Sequence, residues 1–249
     1  MAVTAIMVYQ NSQPWFEVAL RSLLAYDPGH PLRLLLVENP CHDDSPRVAR
    51  SYLLQDTGAT ILQHPQQRDR FGGGENHADA LQYALPHVRT EWTLFLDADI
   101  VFTRDGWLAE MLAQNGDIVG PPAFGNLYDT SVPHAHPCLL LFRTKLIRPP
   151  RWGGSLRPTP GIPVGHRQYR DTCIAFTMHA ASHPANTLRQ LPMTHEQSSG
   201  LEYYRIAEFA LHMRGVSNVG RRPRRFTLKQ ALLDLQEVAD VCRATCALA

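Results

Sequence analysis

Two aspartates separated by one small residue close an apolar run in this 249-residue chain, Thr93-Leu94-Phe95-Leu96-Asp97-Ala98-Asp99. A buried strand ending in two carboxylates sets them where open α/β sheets bind ligands. The pair suits a hard divalent cation that also grips phosphate oxygens. Taken alone, the pattern also fits an ordinary acidic loop before a helix. Upstream, Gly73-Gly74-Glu75-Asn76-His77-Ala78-Asp79-Ala80-Leu81 runs from glycines into a helix, where acidic side chains favour the N-terminal dipole. Further on, Asp171 opens a helical stretch and has a favoured helix-capping side chain. His195 follows an apolar stretch and is one of 12 histidines, so it reads either as a solvated or core-bonded residue or as a metal ligand.

Other chemistries fail on spacing. The glycines at 72 to 74 lack a preceding strand, and His77 stands where a dinucleotide fingerprint needs its third glycine, so a nicotinamide enzyme is not indicated. His134-Ala135-His136 and the Cys242/Cys246 pair each lack two further ligands at zinc spacing.

The elements that must position these residues alternate as strand and helix, the pattern of a mostly parallel sheet flanked by helices. Strands are expected at Val3 to Tyr9, Arg33 to Val37, Ala59 to Leu62, Thr93 to Leu96, Ile118-Val119, Cys138 to Phe142 and Leu188 to Thr194. Helical spacing is expected from Trp15, from Asp43-Asp44-Ser45-Pro46 to about Leu54, and from Glu75 to Leu85. It recurs in WLAEMLA after Asp105, from Asp171 to Ala181, from Leu201 to Met213, and from Thr227 to the C-terminus. The Pro/Gly-dense stretch Pro149 to Gly165 reads as a surface loop or lid. We divide the chain into a domain of 1–225, with a first half to about 120 and a second from 121, and a helix over 226–249.

Composition excludes several classes. Hydrophobic residues at 44% and charged residues at 19% describe a globular chain, and a net charge of +1 offers nucleic acid no global attraction. No apolar stretch approaches a membrane span, and no basic leader precedes the first strand. Five cysteines with no CxxC pair fit a reducing compartment, so a cytoplasmic location is expected. Arg221, Arg222, Arg224 and Arg225 precede an amphipathic helix and form a solvated junction or a contact with an anionic membrane surface.

In their order along residues 2 to 110, these segments resemble family 2 glycosyltransferases with the GT-A fold, a Rossmann-like nucleotide-diphospho-sugar transferase fold. Ala2 to Asn11 resembles the family's opening strand and turn against the nucleotide base, which implicates Tyr9 and Asn11. Leu35-Leu36-Val37-Glu38-Asn39 resembles the strand whose acidic end bonds the base or ribose, with Glu38 where Asp is usual. The segment with Asn76, His77 and Asp79 resembles the one beside the pyrophosphate and donor sugar. The resemblance implies that Asp97 and Ala98 meet the donor and that Asp97, Asp99 and His195 hold Mn2+ or Mg2+. Asp171 falls where many members carry a catalytic base. The implied activity is metal-dependent sugar transfer, with inversion at the anomeric carbon, from a nucleotide diphosphate donor such as a UDP-sugar. The acceptor is a glycan, lipid-linked sugar, peptide or small molecule. A sugar-phosphate nucleotidyltransferase and a non-catalytic nucleotide-sugar-binding protein of the same fold are the alternatives.

Overall fold

Every residue of the first strand is buried, which requires cover on both faces of the sheet. The computed structural model describes residues 1–55, 58–65, 73–122, 134–149, 154–157, 162–164, 167–169, 172–198 and 201–213. Its strands are β1 (Val3–Tyr9), β2 (Leu32–Glu38), β3 (Ala59–Gln63), β4 (Trp92–Asp97), β5 (Ile100–Phe102), β6 (Ile118–Gly120), β7 (Leu139–Arg143), β8 (Ile162–Val164), β9 (Arg167–Tyr169), β10 (Leu188–Gln190), β11 (Met193–Ser198), β12 (Leu201–Ile206) and β13 (Ala210–Met213). The helices are α1 (Trp15–Ala25), α2 (Ser45–Leu53), α3 (Gly73–Ala84), α4 (Trp107–Ala113) and α5 (Ile174–Ser182).

The main sheet has the order β10-β6-β7-β4-β1-β2-β3. β1 pairs in parallel with β2 and β4, β2 with β3, and β10 with β6, while β7 runs antiparallel to both β4 and β6. Side-chain alternation divides the core. Met7, Tyr9, Leu36, Leu94 and Leu96 pack with Phe16, Leu20 and Trp107 from α1 and α4. Ile6, Val8, Leu35, Val37 and Phe95 pack with Ala78, Leu81 and Phe176 from α3 and α5. A strand with apolar residues at every position is what burial on both faces demands.

From β1 the chain moves outward through β2 and β3, then returns to place β4 on the other side of β1. That reversal is a topological switch point, and the crevice it opens lies outside the carboxyl ends of β1 and β4. Asp97 closes β4 opposite Val8, and Glu38 closes β2 opposite Tyr9.

A second sheet, β11-β12-β13-β5, is antiparallel throughout. Here the expectations need correction. Leu201 to Met213 is a hairpin rather than a helix, turning at Ala207, which has a φ of 47°. Tyr203, Tyr204 and Ile206 suit a pleated half-buried surface, and pairing of β13 with β5 outweighs the helical spacing. β5 itself follows Asp99 directly and carries no expectation from the sequence. The expected strand Leu188 to Thr194 is two strands in different sheets, with Pro192 between them. The helix expected from Asp171 starts at Ile174, with Cys173 at its N-cap position. Asp171, the C-terminal helix, the four arginines from Arg221 to Arg225 and most of the loop Pro149 to Gly165 lie outside the described residues. Among the described residues no helix is long and apolar enough to cross a membrane.

Candidate metal and nucleotide site

Asp97 and Asp99 straddle the buried Ala98, which belongs to the core on the α1 side. Burial of that methyl group turns both flanking side chains away from the core it joins. Two backbone bonds clamp the segment: the Asp97 N–H donates to the Cys138 carbonyl at 2.9 Å, and the Met213 N–H donates to the Asp99 carbonyl at 3.1 Å.

The second clamp belongs to β13, and it brings in a residue that the motifs did not mark. His212 pairs in register with Ile100, immediately after Asp99. Its Nε2 lies 3.3 Å from Asp99 Oδ1 and 3.7 Å from Asp97 Oδ2. One ligand atom from each of Asp97, Asp99 and His212 lies within 4.8 Å of the others, and Asp99 and His212 are buried. Two carboxylate oxygens and one imidazole nitrogen on one side of a point suit a six-coordinate divalent cation, leaving positions for water and phosphate oxygens. The residues therefore fit the metal that the fold implies. The signal in the sequence was a single histidine inside the apolar tetrapeptide Ala-Leu-His-Met, masked by the helical reading of that stretch.

His195 has a different place. It is exposed on β11, opposite Tyr204, which is in turn opposite His212. The three rings form a lateral row, 5.0 Å and 6.5 Å between neighbouring centroids, so Tyr204 stands between the two histidines. The neighbouring Glu196 is engaged by Arg205 and Tyr203, and Arg205 holds its carboxyl below the usual range.

His77 on α3 approaches Asp97 from the other side, its Nε2 3.7 Å from Oδ1. Asn76 is half-buried in the first turns of the same helix. Asp79 is turned elsewhere: its carboxylate receives both Nε and Nη2 of Arg157 at 2.5 Å. The Leu156 N–H donates to Gln82 Oε1, and Thr172 Oγ1 donates to the Gly74 carbonyl, so two later segments are bound along α3.

At the ends of β1 and β2, the fully buried Tyr9 stacks on Phe16 at 4.5 Å and donates its hydroxyl to Glu38 Oε2 at 2.7 Å. Burial, then Glu38, pushes the Tyr9 hydroxyl far above its ordinary pKa, so it remains a neutral donor. A basic side chain stands further from this pair, Arg50 Nη2 lying 3.9 Å from Glu38 Oε2. Asn11 has a φ of 47° and accepts the His42 N–H on its side-chain oxygen at 2.6 Å. Asp43 and Ser45 accept the Gln13 N–H, so the turn after β1 is tied to the loop after β2. His64 Nδ1 meets Asn39 Oδ1 at 3.0 Å, and burial lowers its pKa.

Comparison with known proteins bears on the fold. The mannosyltransferase PcManGT from Pyrobaculum calidifontis, solved with GDP-Man and Mn2+, superposes with a TM-score of 0.55 at 20% identity over 76% of this chain and 54% of its own. Staphylococcus aureus TarS 1-349 with UDP-GlcNAc gives a TM-score of 0.43 at 17% identity, over 59% of this chain and 46% of its own. Mannosyl-3-phosphoglycerate synthase from Rubrobacter xylanophilus gives 0.41 at 20% identity, over 59% and 55%. This chain thus spans about half the length of these proteins or less. No curated protein matches it. The first of these likenesses shows the GT-A fold. The model of glycosyl transferase family 2 matches residues 4–119, a stretch that holds β1 to β6, Glu38 and both aspartates. Over that stretch, a little under half of its length, the chain is similar to glycosyl transferase family 2.

Proposed function

We propose that this protein transfers a sugar from a nucleotide diphosphate donor to an acceptor, with a divalent cation held by Asp97, Asp99 and His212. The observation that carries this reading is the meeting of those three side chains at the carboxyl end of β4, across from the Tyr9–Glu38 pair. When bound, the cation supplies charge neutralisation for the leaving diphosphate. Glu38, held by the Tyr9 hydroxyl, faces the base or ribose, and the N-terminal residues of α3, Asn76 and His77, face the diphosphate and sugar. Asp171 accepts the proton of the acceptor hydroxyl as its oxygen bonds to the anomeric carbon and the bond to the diphosphate oxygen breaks. Mn2+ is the preferred ion, in line with the imidazole among the ligands and with the ion in the Pyrobaculum mannosyltransferase.

A thermal-shift panel of UDP-, GDP-, dTDP- and CMP-sugars with and without Mn2+ tests the reading. The true donor raises the melting temperature only when the ion is present, and Asp97→Asn removes that response. If no donor shifts the wild-type melt at any ion concentration, the reading fails.

A further inference from the structure

At the opposite end of the sheet, where β4 begins and β7 ends, the surface holds a cleft of about 450 Å³ lined by Thr90, Glu91, Arg143, Thr144, Lys145 and Arg148. A second cleft of about 330 Å³ shares Arg148 with it and adds Arg89. Trp92, opposite Arg143 in the sheet, is five residues from Asp97 along β4. At the rise of an extended strand this is about 17 Å, too far for one nucleotide diphosphate to touch both ends.

The charges here are unbalanced. Arg143 takes the carboxylate of Glu91, has Asp117 Oδ1 3.8 Å from its Nε and lies over the Trp92 ring, which leaves Arg89, Lys145 and Arg148. Arg89 Nη1 and Arg148 Nη2 both donate to the Val88 carbonyl, at 3.1 and 2.7 Å. Two guanidinium groups thus converge on one oxygen, and among the described residues no carboxylate pairs with either of them or with the exposed Lys145. The fold fixes their approach. The turn Thr144–Leu146 presents Lys145 directly after β7, and the turn Leu85–His87 leads to the carbonyl that gathers the arginines. Like charges held this close repel, and an anion placed between them is attracted to both. Arginine and lysine together in a concave site match phosphate oxygens, the planar fork giving paired bonds and the ammonium a point charge.

We propose that Arg89, Lys145 and Arg148 form a second binding site, for a phosphate-bearing anion, distinct from the nucleotide site. The site takes a phosphate or diphosphate group on a soluble molecule or on a lipid headgroup. It does not depend on the donor reading, since none of its residues belongs to the Asp97 cluster.

The test uses the whole protein, with EDTA present and at low ionic strength. Titration calorimetry with sodium pyrophosphate is compared for the wild type, Lys145→Gln, Lys145→Gln/Arg148→Gln and Asp97→Asn, with thermal melts checking each fold. In parallel, the proteins are sedimented with vesicles of phosphatidylcholine alone or mixed with phosphatidylglycerol. Removing two charge-assisted contacts weakens binding by about tenfold or more, while Asp97→Asn leaves it unchanged. Pyrophosphate binding with that pattern assigns a soluble anion, and retention on the anionic vesicles alone with the same pattern assigns a lipid phosphate. Lys145→Gln changes an exposed side chain with no hydrogen bond or ion pair among the described residues, so its weaker binding supports the site even if the double variant unfolds. The proposal is overturned if neither probe binds the wild type, or if binding survives unchanged in the folded variants.

Discussion

Replacing His212 by alanine gives the sharpest test of the site. The imidazole is one of three side chains whose ligand atoms lie within 4.8 Å of each other, and Asp97 and Asp99 remain without it. Losing even an outer partner of a metal ligand costs about 10- to 100-fold in metal affinity, so losing the ligand itself is set at about 100-fold, or about 2.7 kcal/mol. At a Mn2+ concentration near 100 times the wild-type Kd, binding stabilises the wild type by about 2.7 kcal/mol. The variant under the same conditions gains only about 0.4 kcal/mol. For a chain of this size, that is a rise in Tm of about 5 to 10 °C against one of about 1 to 2 °C. The ion-free variant also melts earlier, because His212 is buried and its removal leaves a void. Only the difference between melts with and without Mn2+ reports the ligand. His195→Ala is the comparator, and its exposed side chain makes it the milder change. A His212→Ala variant that keeps the full Mn2+ shift would refute the assignment, and loss of the shift in His195→Ala instead would move the ion to β11.

Tyr9→Phe keeps the stack on Phe16 but removes the bond that holds Glu38, at a cost of about 1 to 2 kcal/mol in urea unfolding, and it raises the donor KM more than it lowers kcat. Because the native Tyr9 pKa is raised, its contribution to stability is whole below the unfolded value of about 10 and declines as pH rises beyond it. Wild-type stability measured by urea from pH 9 to pH 11 therefore falls more steeply than that of Tyr9→Phe; parallel curves would contradict this. Arg157→Ala breaks the paired bonds to Asp79, but the guanidinium is 42% exposed and solvent screens it, so the loss is about 0.5 to 1 kcal/mol by thermal melting. Phe95→Ala empties a fully buried position against Phe142 and costs about 3 to 5 kcal/mol in chemical unfolding.

The sequence by itself determined the parallel half of the molecule and the strand ends at which its carboxylates sit. Strands buried on both faces must be apolar throughout, so β1, β2 and β4 stand out as runs, and carboxylates closing such a run, Glu38 and Asp97, mark its ligand end. Tyr9 and His77 were legible for the same reason, since each lies beside a strand or helix end that the pattern locates. Only the tertiary structure decided the rest. His212 reaches Asp99 through pairing of β13 with β5, a contact between residues far apart in the chain that no local spacing records. The hairpin Leu201 to Met213 has helical spacing in its own residues, and the unsatisfied edge of β5 makes it a strand. Asp79 was marked for the donor and is held by Arg157, because a carboxylate on a helix takes the nearest guanidinium that another segment brings to it. Residue type and period specify which face a side chain takes, whereas the partner across that face is set by how distant segments pack, and that is where the third side chain of the candidate metal group came from.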